Sequence, residues 1–263
     1  MALGENTGGE DTSLRLPSAR LLRWEIFAVF AVSLGASGLS ALLDLIRSLL
    51  TTHSLASQQA LLVGSQAPDH WLDLIFQLVG IAEALAPVIL VLYLMARSGE
   101  PPSVIGLDAR EPVRDLARGA VLAALIGGSG LALYLTAFHL GLSLTVVPES
   151  LPAVWWRIPV LLLSAAHDGL LEEILVIGYL LRRLDQLGWT PWKAILFAAV
   201  LRGSYHLYQG FGGFLGNAAM GVIFGVLYRR WGRVMPMIIA HTLIDAVTFV
   251  GYAALHGKVS WLP

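Results

Sequence analysis

The chain has 263 residues, 56% of them hydrophobic, with 17 Lys or Arg, 18 Asp or Glu and a formal net charge of -1. Charged residues are 13% of the total, about half the ~25% usual in soluble domains; this excludes a disordered chain, a collagen-like fibre and a basic nucleic-acid-binding domain, and points to an integral membrane protein. With no cysteine, disulfides, thiolate metal sites and cysteine nucleophiles are excluded.

Residues 1–22 mix Gly, Glu, Asp, Ser and Arg and read as a polar cytosolic tail. The apolar stretch that follows has membrane length and no small-residue cleavage pattern, so a retained first span is expected. A helix needs about 20 mostly apolar residues to cross the hydrocarbon. Seven stretches meet that pattern: Trp24 to Leu45, Leu72 to Met95, Ala120 to Leu140, Ile158 to Leu181, Ala194 to Tyr208, Phe214 to Tyr228 and Met235 to Leu255. The fold class expected is therefore all-α, a polytopic helical bundle of about seven spans. The fifth and sixth stretches are short, near 15 residues or ~22 Å of helix. The glycine-rich turn Gly210-Phe211-Gly212-Gly213 between them is expected to dip into the membrane, unless the bilayer thins there.

Short cytoplasmic loops are enriched in Lys and Arg. Alternation places Arg15, Arg20, Arg23, Arg97, Arg110, Arg114, Arg118, Arg182, Arg183, Lys193, Arg229, Arg230 and Arg233 inside. Arg47, Arg157 and Lys258 fall outside, and Arg202 falls within a span. This gives an N-terminus inside and an odd number of spans. Trp155, Trp156 and Trp261 near the outer side and Trp24, Trp189, Trp192 and Trp231 near the inner fit interfacial belts. The inner segment Pro101 to Gly119 reads either as an amphipathic surface stretch or as a solvated loop. The outer segment Thr51 to His70 is polar and carries no clear signal. By organisation, 23–150 forms N-terminal spans with that inner loop, and 151–263 the functional core.

Ionisable residues inside a bilayer are costly and mark function by default. Setting aside Glu25, Asp44, Asp73 and His139 at span edges, those within the spans are Glu83, His167, Asp168, Glu172, Glu173, Arg202, His206, His241 and Asp245. Counted from flanking basic residues at 1.5 Å per residue, Glu173 and Glu172 lie ~14 and ~15 Å in, Arg202 and His206 ~14 and ~20 Å, His241 and Asp245 ~12 and ~18 Å. Arg202 and His206, His241 and Asp245, and Asp168 and Glu172 are each four apart, so each pair shares a helix face. Three helices thus bring polar groups to one slab. A buried carboxylate there can act as general base on water, with imidazoles sharing the proton or stabilising an oxyanion. Two histidines with one or two carboxylates also fit a divalent-metal shell, with Glu172, His206, His241 and Asp245 as candidate ligands. HExxH is absent, and so is GxSxG. A zinc-like ion and a metal-free site both remain open. Asn217, in a glycine-rich span, reads as packing glue.

The stretch LEEILVIGYLLRRL resembles the first motif of the CPBP intramembrane endopeptidases, the family of CAAX prenyl proteases and bacteriocin-processing proteins, in which a glutamate pair is followed by xxxR. The FxxxH motif matches at His206 in LRGSYHLYQG, and HxxxN or HxxxD matches as His241 and Asp245 in AHTLIDAV. The resemblance covers about Leu161 to Gly251. It departs from the pattern at Ile177, where the family has Arg, and at Arg202, where it has Phe. Arg202, level with Glu173, is expected to supply the missing cation from the neighbouring helix. The resemblance implies that Glu172 and His206 activate water while His241 and Asp245 bind or polarise the scissile carbonyl. An ionised Asp245 has no proton to donate, so it must be protonated, orient His241 or bind a metal.

The function expected is an intramembrane endopeptidase with a polar cavity in the inner half of the bilayer, acting on a peptide or protein at the membrane through Glu172, Glu173, His206, His241 and Asp245, with Arg202 in support. The expected setting is a multi-pass protein of the plasma membrane, in contact with lipid and not with nucleic acid; oligomeric state is left open. Two alternatives stand beside it: a catalytically silent relative acting as membrane scaffold or immunity factor, and a transporter or proton relay.

Overall fold

The computed structural model describes residues 17–259. Most of the polar tail, with Arg15, and Trp261 of the expected outer belt lie outside the described residues. Ten α-helices are present among those residues: α1 (Ala19–Ala31), α2 (Leu34–Leu49), α3 (His70–Ala84), α4 (Ala86–Arg97), α5 (Pro112–His139), α6 (Arg157–Glu172), α7 (Leu181–Gln186), α8 (Pro191–Ser204), α9 (Phe211–Trp231) and α10 (Met235–Leu255). A π-helical segment, Glu173–Leu180, joins α6 to α7 without a break. Two short strands, β1 (Gln59–Val63) and β2 (Thr145–Glu149), pair in parallel. The fold is an all-α membrane bundle with this one small sheet.

Local sequence sets the helix ends. Asp69 accepts from the amides of Trp71 and Leu72 at 3.1 and 2.9 Å and starts α3. Proline lies in the first turn of α5, α8 and α10, where its missing N–H leaves no bond unmade. Gly232, at φ 65°, ends α9 in the left-handed conformation, and its N–H reaches the Tyr228 carbonyl at 2.7 Å.

Each of the seven expected stretches falls mainly on helix, although the fifth outruns its helix. By length and apolarity four helical stretches among the described residues qualify as spans: His70–Arg97, Pro112–His139, Phe211–Trp231 and Met235–Leu255. A fifth is added if α1 and α2, bent by 49°, are one broken span. The expected count of seven is therefore not met on these criteria. The α6-to-α7 stretch carries His167, Asp168, Glu172 and Glu173, and α8 has only 14 residues. Three expectations change. The expected sixth span is not short: Phe211, Gly212 and Gly213 form the first turn of α9, which runs for 21 residues. Helix α8 stops at Ser204, so His206 stands on the turn after it. The segment Pro101 to Gly119 is no surface helix; a 3-10 turn at Pro102–Ile105 leads to α5, which already begins at Pro112.

Polar side chains gather at both ends. At the basic end the buried Arg183 bonds Glu25 Oε1 at 2.8 Å and Glu100 Oε2 at 2.6 Å, Arg182 Nε bonds Glu100 Oε1 at 2.7 Å, and Arg233 bonds Asp115 Oδ2 at 2.6 Å and Asp108 Oδ1 at 2.9 Å. Gly106, at φ 67°, is forced to be glycine twice over, since a Cβ there would lie 2.3 Å from the Cα of Arg233. At the other end β1 lies beside β2, Asp73 accepts from Ser65 and from the Gln66 amide, both at 2.8 Å, and Glu149 pairs with Arg157. The two sets of loops separated by alternation thus occupy opposite ends. Between them the π-helical segment is wholly buried against Val91, Met95, Ile105, Phe224 and Met237. Lipid is as apolar as these side chains, so close packing rather than expulsion of water holds this core.

Candidate active site

Helix α6 delivers Glu172 and the first π-helical residue delivers Glu173, one step apart and pointing in different directions. Arg202 enters from α8 and is fully buried. One guanidinium nitrogen lies 2.7 Å from Glu173 Oε1, and the other 3.2 Å from Glu172 Oε2. The equal depth inferred for Arg202 and Glu173 becomes direct contact, while Ile177, where the family motif has Arg, is fully buried among apolar side chains.

His241, on α10, has a carboxylate at each ring nitrogen: Glu173 Oε1 is 2.8 Å from Nδ1 and Asp245 Oδ2 is 3.2 Å from Nε2. Arg202 Nη2 lies 3.1 Å from Nδ1, farther than the carboxylate. An imidazolium donating from both nitrogens satisfies this arrangement. Glu173 has no surface exposure and sits behind His241.

Around Glu172 the two oxygens differ. Oε2 accepts from Tyr205 Oη at 2.8 Å and faces Arg202 at 3.2 Å. Oε1 faces His206 Nε2 at 3.9 Å, too far for a direct hydrogen bond. His206 Nδ1 lies 3.0 Å from the Arg202 carbonyl oxygen; it donates there, which leaves Nε2 as an acceptor. Tyr205 was not singled out by sequence, although a phenol next to His206 on this polar turn is a signal of its kind.

Glu172, His206, His241 and Asp245 line one cavity of about 1080 Å³, while Glu173, Arg202 and Tyr205 lie behind its wall. His167 and Asp168, 3.4 Å apart, line it too, as does Asn217. Glu83 is exposed on α3 and is not part of it. The cavity runs toward the sheet, where Val63, Gly64, Val146 and Pro148 form its wall, and along small residues of α5 such as Ala124 and Gly128. It is not confined to the half nearer the basic end, because there the π-helical core and the ion pairs fill the space.

Among the described residues, the donor group compact enough for a metal ion is Glu172, Glu173 and His241, with atoms within 4.8 Å of one another. Arg202 already lies within 3.2 Å of all three. A divalent ion there would meet a fixed cation, so this set does not suit a metal while Arg202 keeps its place. His206 and Asp245, two of the expected ligands, fall outside the group.

Residues 153–247 match the family model described as type II CAAX prenyl endopeptidase Rce1-like. No curated protein and no solved structure matches the chain. The matched segment holds every motif residue read from the sequence, Glu172, Glu173, His206, His241 and Asp245, together with Arg202. The resemblance to the CAAX protease family thus holds for this segment, and the long apolar helices around it make the chain an integral membrane protein.

Proposed function

We propose, from the Rce1-like character of residues 153–247, that the chain is an intramembrane endopeptidase in which Glu172 is the general base. The observation that carries this reading is the asymmetry of that carboxylate: Oε2 is occupied by Tyr205 and Arg202, while Oε1 is turned to His206 Nε2 across 3.9 Å on the cavity wall. A water between Oε1 and Nε2 meets two acceptors at once. Glu172 takes one proton from it, and the oxygen attacks the scissile carbonyl carbon, giving a tetrahedral oxyanion. Collapse breaks the C–N bond, and the proton held on Glu172 passes to the leaving nitrogen. His241, held between Glu173 and Asp245, contributes positive charge beside the cavity. In this reading Asp245, 3.2 Å from His241 Nε2, orients His241 and does not donate.

The substrate is a peptide or protein at the membrane, in keeping with a C-terminal lipid-modified tail, and the setting is the plasma membrane. The test is cleavage of a quenched fluorescent farnesylated CAAX-type peptide by purified protein, with and without chelator. Wild type is expected to cleave in both conditions, and Glu172→Gln to lose at least about 100-fold in kcat. Equal activity of Glu172→Gln and wild type would sink the reading and favour a scaffold.

A further inference from the structure

Attack on an amide carbonyl needs a hydrogen-bond donor for the oxyanion that develops. This inference rests on the endopeptidase reading above, and the groups around Glu172 narrow the donor sharply. His206 Nε2 is an acceptor, because its Nδ1 donates to the Arg202 carbonyl. Both nitrogens of His241 are engaged by carboxylates, the Tyr205 hydroxyl is spent on Glu172, and Arg202 lies behind the cavity wall. Asp245 accepts from His241 and has no proton to give when ionised.

The cavity does contain an amide at the right level. Asn217 lies on the face of α9 that runs Gly213, Asn217, Gly221, one step per turn. A Cβ on residue 213 would lie 2.8 Å from the His206 carbonyl oxygen, and one on residue 221 would lie 3.2 Å from Cδ of Arg202. Asn217 therefore sits between the two points where α9 touches the Arg202–His206 turn. Its neighbours Gly216 and Met220 line the cavity with it. Asn217 Nδ2 donates one hydrogen to the Gly213 carbonyl at 3.1 Å, which fixes the amide and leaves the second N–H free. Other neutral donors of the cavity are placed differently: Tyr134 accepts from the Val146 amide beside the sheet, Gln77 donates to the Gly64 carbonyl and to Asp73, Gln209 donates to Tyr208, and Ser164 stands more than two turns before Glu172 on α6.

We propose that Asn217 is a catalytic residue of this chain, the side chain that donates to the oxyanion of the scissile carbonyl. The backbone bond to Gly213 presets the direction of its free N–H, so no rearrangement is needed as charge develops.

The experiment compares the farnesylated quenched peptide across wild type, Glu172→Gln, Asn217→Ala, Tyr208→Phe and the double variant Asn217→Ala/Asp245→Asn. Asn217→Ala is expected to lower kcat about 100-fold with KM within about twofold, the pattern of a group acting in the transition state alone. Asp245→Asn keeps an oxygen to accept from His241 Nε2 and adds an amide N–H on the α10 side of the same cavity, so the double variant is expected to recover at least about tenfold, which a purely structural role for Asn217 does not predict. Full activity of Asn217→Ala, a loss confined to KM, absence of any recovery in the double variant, or a larger kcat loss in Tyr208→Phe overturns the assignment. If Glu172→Gln is inactive while Asn217→Ala is not, the endopeptidase reading stands and this inference falls; if Glu172→Gln is active, the reading itself falls.

Discussion

Arg202 carries the electrostatics of the centre. Two adjacent carboxylates in an apolar slab repel one another, and a planar guanidinium can face both at once. Its ring contact with Phe224, 5.4 Å from the ring centroid, and the close approach of Gly221 hold it in one position. Removing it leaves Glu172 and Glu173 buried without their cation, a change that costs about 3–5 kcal/mol at buried pairs. Arg202→Ile is accordingly expected to abolish peptide cleavage, as is Glu173→Gln, and Arg202→Lys to restore little, because one ammonium cannot span both oxygens. Comparable kcat values for wild type and Arg202→Ile would remove Arg202 from the proposed centre. That a cation from the neighbouring helix lies level with the glutamates was readable from the sequence, since rise per residue converts spacing into depth. Which oxygen of Glu172 stays free was not, because it depends on the Tyr205 hydroxyl and on a rotamer that spacing does not specify.

At the scale of helices, the site depends on how closely α6 and α10 approach. Gly169, one turn before Glu173, faces Thr242 and the Ile238 carbonyl; a Cβ there would lie 2.5 Å from Thr242 Oγ1 and 3.0 Å from that oxygen. Gly169→Val is expected to push α10 outward, lengthen the Glu173–His241 contact and destabilise the bundle by about 1–3 kcal/mol, seen as a lower melting temperature in detergent together with lost cleavage. An unchanged melting temperature would show that α10 is not seated by this contact. The polar faces of α6, α8 and α10 were legible because i, i+4 pairs recur at one depth. The π-helical segment was not, since Glu173–Leu180 continues the apolar pattern of α6, and its single glycine, Gly178, does not specify a change of helical register. Nor was the true start of α9, where glycines that serve close packing have the same composition as a turn.

The whole molecule is fastened at its ends and open in its middle. At the basic end burial raises the Glu100 carboxyl, but hydrogen bonds from Arg182 and Gln186 and the charges of Arg182 and Arg183 hold it below its ordinary value of 4.5. A group with a depressed folded pKa stabilises the fold above its unfolded pKa and loses that contribution as pH falls through the folded value. The melting temperature in detergent is therefore expected to drop on acidification below about 4.5, and Glu100→Gln to lower it at neutral pH while flattening the acid limb. An identical pH profile for the variant would remove Glu100 from the clamp. At the opposite end the pairing of β1 with β2 joins segments far apart in sequence; the bond from Thr145 Oγ1 to the Ala56 carbonyl spans 89 residues. That distance gives the sheet a place in time as well as in space. Parallel strands need a long crossover, and here α3, α4 and α5 form it, so the ladder cannot close until all three helices are in the bilayer and β2 has emerged beyond them. The sheet wall of the cavity is thus a late product of assembly, completed only after α3, α4 and α5 have been threaded.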